Sequence, residues 1–209
     1  MTDDETRGLG ELLAGPVEPA ARGLLGCRLS AGGVTVRITE VEAYAGTAGD
    51  AASHAHRGRT RRNAVMFGPS GYTYVYFTYG MHWCMNVVTG PEGEASAVLL
   101  RAGEVVDGLD VARARRTAVR RDLDLARGPA RLCAALGLDG AAYGLYLLGD
   151  GPVRLRPPAE PVPAEAVAAG PRVGVTGAHD RPWRFWLDGE STVSQYRRHV
   201  PKRRPTIGT

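Results

Sequence analysis

The stretch YVYFTYGMHWCMNVV, residues 74 to 88, decides the fold because it predicts a β-hairpin. Residues 71 to 77 and 82 to 88 have the β-branched and aromatic content of strands, and the Tyr79-Gly80 pair between them is typical of a turn. A strand of a soluble core needs one apolar face, yet this segment is rich in phenol side chains and holds an amide at Asn86. These polar groups indicate a functional surface as well as a fold.

A second strand carries carboxylates where a core face is expected. The stretch GVTVRITEVEAYAG, residues 33 to 46, alternates as a strand does. The face that this alternation predicts carries Val34, Val36, Ile38, Glu40, Glu42 and Tyr44. A carboxylate beside apolar side chains is costly unless it is hydrogen-bonded or paired. Glu42 is therefore either half of a structural ion pair, with an arginine such as Arg101, or a general base, and Glu40 shares this ambiguity.

The rest of the chain predicts short elements without a βαβ rhythm. Helices are expected within residues 9–25, 107–121 and 128–138. Further strands are expected at residues 96–106, 142–149, 152–157, 172–177 and 183–189. Residues 46 to 70 have little apolar content and predict a long basic loop. Because strands outnumber helices, we expect an α+β fold on a mostly antiparallel sheet.

The length of 209 residues suits a single domain. We expect a disordered N-terminus over residues 1–8, one domain over 9–200 and a basic tail over 201–209. No apolar run is long enough to cross a bilayer and no signal-peptide pattern is visible, so we expect a cytoplasmic protein without membrane association. The three cysteines are far apart and lack metal-ligand spacing, which predicts buried free thiols.

The basic residues are almost all arginine. The net charge is +4, and the chain has 25 arginines and one lysine, Lys202. Clusters lie at residues 54–62, 113–121 and 197–204, and each is either part of an anion-binding face or a solvated surface. Schiff-base chemistry needs an amine nucleophile, and the single lysine lies in the basic tail. We therefore do not expect a lysine-based lyase mechanism.

The aromatic and polar side chains together predict a pocket for a nucleobase. Tyr74 and Tyr76 share a strand face, while Tyr79 lies out of phase at the hairpin tip, where it either braces the turn or stacks on bases. His54 and His56 could bind a metal, but nothing completes a ligand set, so no metal and no cofactor are expected. Enzymes that act on a base within a duplex must flip it out, and an exposed aromatic can fill the gap.

Several long motifs resemble one family. EVEAYAGTAGDAASHAHRGRTRRNAVMFGPSGYTYVYFTYGMHWCMNVV, residues 40 to 88, is similar to the signature region of the alkyladenine (3-methyladenine) DNA glycosylase family. Further matches are VLLRAGEVVDG (98–108), ARGPARLCAALGL (126–138), PRVGVTGA (171–178) and WRFWLDG (183–189). The resemblance covers roughly residues 8 to 200. It implies a single domain with a curved sheet, flanking helices and a protruding β-hairpin.

The resemblance also implies a role for individual residues. Glu42 corresponds to the general base that activates water. Arg101, with a backbone carbonyl near Val173, corresponds to the groups that position Glu42 and that water. The residues that correspond to the walls around a flipped base are Tyr44, His54 and Tyr76. Asn86 corresponds to the residue that disfavours guanine. Tyr79 corresponds to the intercalating residue, with Met81 beside it.

The implied activity is that of a monofunctional base-excision repair enzyme. Such an enzyme hydrolyses the N-glycosidic bond of alkylated purines, and often of hypoxanthine and ethenoadenine, and leaves an abasic site. The expected partner is damaged double-stranded DNA, bound by a monomer in the nucleoid-containing cytoplasm. Two alternatives stay open from the residues alone: a non-catalytic damaged-DNA binding protein with the same pocket, and an enzyme acting on free nucleosides.

Overall fold

The computed structural model describes residues 3–47, 49–178 and 180–197. The α-helices are α1 (Asp3–Ala14), α2 (Val17–Gly23), α3 (Leu109–Arg115) and α4 (Pro129–Leu136). The strands are β1 (Arg28–Ala31), β2 (Val34–Tyr44), β3 (Thr73–Thr78), β4 (His82–Val88), β5 (Ala97–Asp107), β6 (Val153–Arg156), β7 (Val167–Gly170) and β8 (Arg184–Leu187). Short 3₁₀ segments cover Ala64–Phe67, Asp122–Asp124, Gly140–Ala142 and Ala164–Ala166.

The strands form one sheet around β2. Six of them lie in the order β3-β4-β5-β2-β1-β6, while β8 pairs with β2 and β7. β1 pairs with residues 34–37 of β2, and β8 pairs with residues 40–42. One edge of β2 is therefore hydrogen-bonded to two strands in succession, and the sheet curls. All pairings between the named strands are antiparallel. The expected α+β class with a curved, mostly antiparallel sheet is confirmed.

A pair of register shifts in the centre of the sheet changes which side chains face the core. Opposite β5, residues Ile38 and Glu40 of β2 pair with Gly103 and Ala102, so Thr39 is an extra residue on β2. The next pair is Val41 with Leu100, so Arg101 of β5 has no partner on β2. A bulge of this kind re-aims the side chains that follow it.

The bulge makes one sequence-based expectation wrong. Val34, Val36 and Ile38 belong to the main hydrophobic core, but beyond the bulge the core positions are Val41 and Ala43. Glu40 and Glu42 therefore do not continue the apolar face of Val36 and Ile38, as strict alternation predicted. They lie on the other side of the sheet, together with Tyr44.

The helices cover the core face of the sheet. α2 packs against β2, and α4 packs against β4 and β5. α4 lies within the expected range and ends at Leu136, and the following Gly137 has φ 70°, the left-handed conformation that favours glycine after a helix. α1 begins at Asp3, so residues 3 to 8, which were expected to be disordered, are helical and lead to the buried Leu9 and Leu13.

Other expectations differ from the structure in the second half of the chain. α3 ends at Arg115 instead of continuing to residue 121. Residues 142 to 149 form no strand, because Gly144 has φ 75° and the segment makes one isolated bridge, between Tyr146 and Tyr72. Residues 172 to 177 also form no strand. β7 was missed, since its sequence VAAG lacks the β-branched pattern of a strand.

The long loop over residues 46 to 70 is confirmed, with one 3₁₀ segment near its end. Its apolar residues Ala55 and Met66 join a second, smaller cluster that contains Tyr74, Val88 and Ala97. The loop is thereby packed against β3, β4 and β5. All three cysteines are buried free thiols, as expected. None of the helices within the described residues is long and apolar enough to cross a membrane.

Candidate active site

A cavity of about 440 Å³ lies beside the β3–β4 hairpin. This volume lies in the range of small-molecule pockets. Its walls come from the loop at residues 51–54, from strands β3 to β5, and from residues 173–176. The expected site residues that line it are Tyr44, His54, Tyr76, Tyr79, Asn86, Arg101 and Val173. Glu42 and Met81 are not part of this lining.

Glu42 lies directly behind the lining and has no exposed surface. Its Oε1 accepts a hydrogen bond of 2.6 Å from the backbone N–H of Val173. Its Oε2 accepts one of 2.8 Å from the Tyr44 hydroxyl and lies 3.5 Å from Nη1 of Arg101. Val173 thus contacts Glu42 through its backbone N–H group, while the role of a carbonyl near Val173 stays a prediction. All three partners line the cavity, so the carboxylate adjoins it through them.

Glu40 lies two residues away and is held quite differently. Its Oε1 accepts from Nε of Arg101 at 3.0 Å and from Nε of Arg184 at 2.6 Å. Ser194 donates to the same carboxylate through its N–H at 2.6 Å and its hydroxyl at 2.9 Å. Four donors saturate the acceptor capacity of a carboxylate. Glu40 therefore forms the structural ion pair that was considered for Glu40 and Glu42 alike.

Arg101 connects the two carboxylates. Burial alone would lower the pKa of its guanidinium, but the neighbouring Glu42 and Glu40 raise the pKa overall. Arg101 is the residue of β5 that has no partner on β2 at the bulge, and its side chain lines the cavity. Arg101 therefore remains charged and contacts Glu40 more closely than Glu42.

The aromatic wall consists of Tyr44 together with residues of the loop and the hairpin. The His54 ring stands edge-on to Tyr76, with 4.6 Å between the ring centroids, and Tyr74 lies 5.4 Å from Tyr76. Burial raises the pKa of Tyr44 and Tyr76, and raises that of Tyr74 to about 12. All three phenols therefore stay protonated at neutral pH and offer uncharged rings and hydroxyl donors.

His54 is oriented by the hairpin. Its Nδ1 lies 2.9 Å from the Tyr74 hydroxyl, and burial together with the charge of Arg62 lowers the pKa of its imidazole. Arg62 in turn lies over the Tyr76 ring at 5.3 Å and donates to the Phe77 carbonyl. The imidazole is consequently neutral at pH 7 and can serve as a hydrogen-bond donor or acceptor in the cavity.

Asn86 lies on β4 opposite Tyr74 and is nearly buried. Its Nδ2 donates to the Tyr74 carbonyl over 3.0 Å, which orients the amide in the cavity wall. Cys84, Leu99 and Tyr74 also line the cavity. Tyr74 was named with Tyr76 in the predicted nucleobase pocket, but Cys84 and Leu99 were not, although the strand phase of Cys84 with Asn86 was a usable signal.

The hairpin tip is the most exposed aromatic surface. Tyr79 is 86% exposed and Met81 66% exposed. The turn is closed by a hydrogen bond from the Met81 N–H to the Thr78 carbonyl, and both Tyr79 and Gly80 have positive φ, as a type I′ turn requires. A positive φ at a tyrosine is strained, which is common where a side chain is presented for function.

The basic clusters have different environments. Arg57, Arg59, Arg61 and Arg62 are all exposed on the loop beside the cavity. In the 113–121 cluster, by contrast, Arg113 pairs with Asp110 and Asp122, and Arg121 pairs with Asp124. The first cluster is therefore the more available cationic surface, because two of the five arginines of the second are paired with carboxylates. Apart from Arg197, the third cluster and Lys202 lie outside the described residues.

No group of three or more His, Cys, Asp or Glu side chains that could hold a metal occurs within residues 3–47, 49–178 and 180–197.

The candidate site consists of an aromatic cavity, a buried carboxylate behind it and an exposed hairpin, all on one α+β scaffold. This arrangement is typical of a protein that binds a planar ligand next to a larger polymer.

Comparison with known proteins identifies the family. The model of the methylpurine-DNA glycosylase family matches residues 11–191. A protein of Nocardia farcinica named "Putative 3-methyladenine DNA glycosylase" is 58% identical over 193 residues, with 90% of each chain covered. A protein of the same name from Streptomyces avermitilis is 52% identical over 210 residues, with 97% of this chain and 98% of that one covered. The chain belongs to the methylpurine-DNA glycosylase family and is a DNA glycosylase of DNA repair.

Proposed function

We propose that this glycosylase flips an alkylated or deaminated purine out of duplex DNA into the cavity and hydrolyses its N-glycosidic bond. 3-Methyladenine is the substrate that the names of its relatives suggest, with hypoxanthine and ethenoadenine as further candidates. The observation that carries the proposal is the position of Glu42. It is a buried carboxylate whose three hydrogen-bonding partners all line the aromatic cavity.

In the proposed reaction, Glu42 takes a proton from a water molecule that attacks the anomeric carbon of the flipped nucleotide. The bond between that carbon and the purine nitrogen breaks, the electron pair leaves with the base, and an abasic site remains. Since the transition state has oxocarbenium character, the negative charge of Glu42 also stabilises it. Arg101 and Val173 position the carboxylate. Removal of a general base costs about 10²- to 10⁴-fold in rate.

The aromatic wall supports binding of the base. Tyr44, Tyr76 and His54 would enclose it, and a cationic methylated purine gains about 0.5–2 kcal/mol from contact with an aromatic face. Asn86 would select against guanine by its fixed amide. These contacts give modest discrimination, so weaker pairing and easier flipping of damaged bases would supply much of the selectivity.

The hairpin tip and the loop arginines support DNA binding. Tyr79 would fill the gap in the base stack, with Met81 beside it, and the exposed loop arginines would contact phosphates. We further propose that the enzyme acts as a monomer on nucleoid DNA and needs no cofactor.

One contact bears on the alternative of a protein that binds damaged DNA without releasing a base, an alternative that the family membership does not support. The Tyr44 hydroxyl occupies Oε2 of Glu42, and Glu42 itself has no exposed surface. Catalysis therefore requires that a water molecule reach the remaining acceptor position of the carboxylate. A binder would have no such requirement.

Base release under single-turnover conditions tests the proposal. The substrates are alkylated duplex DNA and duplexes that carry hypoxanthine, ethenoadenine or undamaged adenine, each with wild type and Glu42→Gln. We expect wild type alone to release free damaged base and to leave an alkali-labile but uncut strand. Tight binding by both proteins without release would establish the binder instead.

A further inference from the structure

A buried ion pair lies behind the Tyr44 ring, apart from the contacts that hold Glu42. Arg172 Nη1 and Nη2 donate to the two carboxylate oxygens of Asp50 over 2.6 and 2.7 Å. Neither side chain has exposed surface. Sequence reasoning missed both residues, which are separated by 122 positions. A buried pair of this kind is costly to desolvate and persists only when each charge keeps its partner.

The pair connects three walls of the cavity. Arg172 Nη1 also donates to the carbonyl of Ala43, the residue between Glu42 and Tyr44, over 2.9 Å. Asp50 accepts hydrogen bonds from the N–H groups of Ala45 and Ala52 and so shapes the segment that leads to His54. Arg172 directly precedes Val173, whose N–H donates to Glu42. One guanidinium therefore sets the relative positions of β2, the loop wall and the Val173 segment.

The guanidinium also faces the ring that borders the cavity. Arg172 Cζ lies 4.6 Å from the centroid of the Tyr44 ring and 5.5 Å from that of Trp183. Tyr44 lines the cavity, whereas Arg172 is buried and does not. The ring thus has a cation against one face and the cavity beside its remaining surface.

The charge of Arg172 on one face of the Tyr44 ring affects how strongly that ring attracts a cationic ligand in the cavity. An aromatic face attracts a cation through its quadrupole, but a second cation across the same ring is repelled by the first. In the intact pair, Asp50 balances Arg172 at hydrogen-bond distance. The site behind Tyr44 is therefore close to neutral, and the open side of the ring keeps its attraction for a cationic ligand.

We propose that the Arg172–Asp50 pair positions Tyr44 and sets the preference of the pocket between cationic and neutral purines. The inference rests on the proposed function, because it concerns the base that Tyr44 contacts. Loss of Asp50 charge leaves an unbalanced cation behind the ring and selects against methylated, cationic purines. Loss of Arg172 charge leaves an anion there and selects for them.

The test is a ratio of single-turnover rates: release of cationic 3-methyladenine from alkylated DNA divided by release of neutral hypoxanthine from a defined duplex. For Asp50→Asn, we expect this ratio to fall about tenfold. For Arg172→Gln, we expect it to rise by about threefold, since two backbone N–H groups still bind the Asp50 carboxylate. The double variant is neutral again and should return close to the wild-type ratio.

The controls separate selectivity from folding. Arg22 lies 4.3 Å over the Phe185 ring, away from the cavity, so Arg22→Gln should leave the ratio unchanged. A purely structural pair would lower both rates by the same factor, and an unchanged ratio in either single variant would overturn the proposal. Because the two variants shift the ratio in opposite directions, either one that folds decides the matter. Failure of wild type to release any base would count against the proposed function instead.

Discussion

Glu40 and Glu42 lie two residues apart on one strand, both without exposed surface, yet their surroundings differ. Glu40 is enclosed by two arginines and both donors of Ser194. Glu42 has three partners, one of them at 3.5 Å, and each lines the cavity. The comparison teaches that burial of a carboxylate alone does not distinguish structure from function. Structure and function are distinguished by the number of donors that hold the carboxylate and by whether those donors line the cavity.

The bulge at Thr39 and Arg101 produces this division. It turns both carboxylates away from the core and brings Arg101 between them. Variants on the Glu40 side should therefore affect stability, and variants on the cavity side should affect DNA binding or base release.

Glu40→Gln should give the largest loss of stability. It leaves Arg184 buried without a charged partner and leaves Arg101 with only its longer contact to Glu42, which costs about 3–5 kcal/mol in the free energy of unfolding. Urea denaturation measures this. Glu104→Gln is the matched control, because Glu104 pairs with Arg37 in an exposed position and should cost about 0–1 kcal/mol. Equal losses in the two variants would contradict the structural role of Glu40.

Tyr79→Ala should weaken binding to an abasic duplex by about 1–3 kcal/mol, the usual value of one stacked aromatic. The side chain is almost fully exposed, so the melting temperature should be unchanged within a few degrees. Fluorescence anisotropy measures the affinity. Tyr146→Ala, a second exposed tyrosine outside the cavity lining, serves as the control and should bind like wild type.

Arg59→Gln should reduce the salt dependence of DNA binding. If Arg59 contacts one phosphate, the slope of log K against log salt falls in magnitude by about 0.9. The matched control is Arg113→Gln, since Asp110 and Asp122 already neutralise Arg113. A larger change in slope for Arg113 than for Arg59 would place the phosphate-binding surface on the other cluster.

His54 should give the smallest effect, visible in stability against pH. Its pKa is lowered in the folded protein, so the unfolded chain binds a proton first as the pH falls below about 6.5. Stability should therefore decline from that pH downwards, until the folded-state pKa is passed. Thermal melts between about pH 7.5 and 5 measure the slope. His54→Gln should show a shallower decline, and an identical slope would refute the assignment.

Local pattern was sufficient for much of the fold. β4 begins and ends where its alternation indicated, and β2, β5 and α4 lie within about two residues of the expected bounds. The errors occurred where backbone hydrogen bonds depend on distant partners. Residues 172 to 177 read as a strand, but the Val173 N–H is used by Glu42 instead of a neighbouring strand.

The family resemblance, more than local pattern, predicted which residues line the cavity, since Arg101 and Val173 line it although they are far along the chain from Tyr44. Tyr44, His54, Tyr76 and Asn86 meet in the cavity as their motifs suggested. The partnership of Ser194 with Glu40 spans 154 residues, and no local pattern indicates it. The bulge, by contrast, left a signal in the sequence that was missed, because the apolar positions of β2 change from even to odd residue numbers where the bulge lies.

The central claim is that Glu42 performs the chemistry and Glu40 holds the structure. Its most direct test is single-turnover release of 3-methyladenine by Glu42→Gln and Glu40→Gln, with melting temperatures measured on the same samples. The account predicts a loss of about 10²- to 10⁴-fold in release for Glu42→Gln with its melting temperature maintained. It predicts a lowered melting temperature for Glu40→Gln, with release retained at temperatures where that variant is folded. Wild-type release by Glu42→Gln, or abolished release by a fully stable Glu40→Gln, would contradict it.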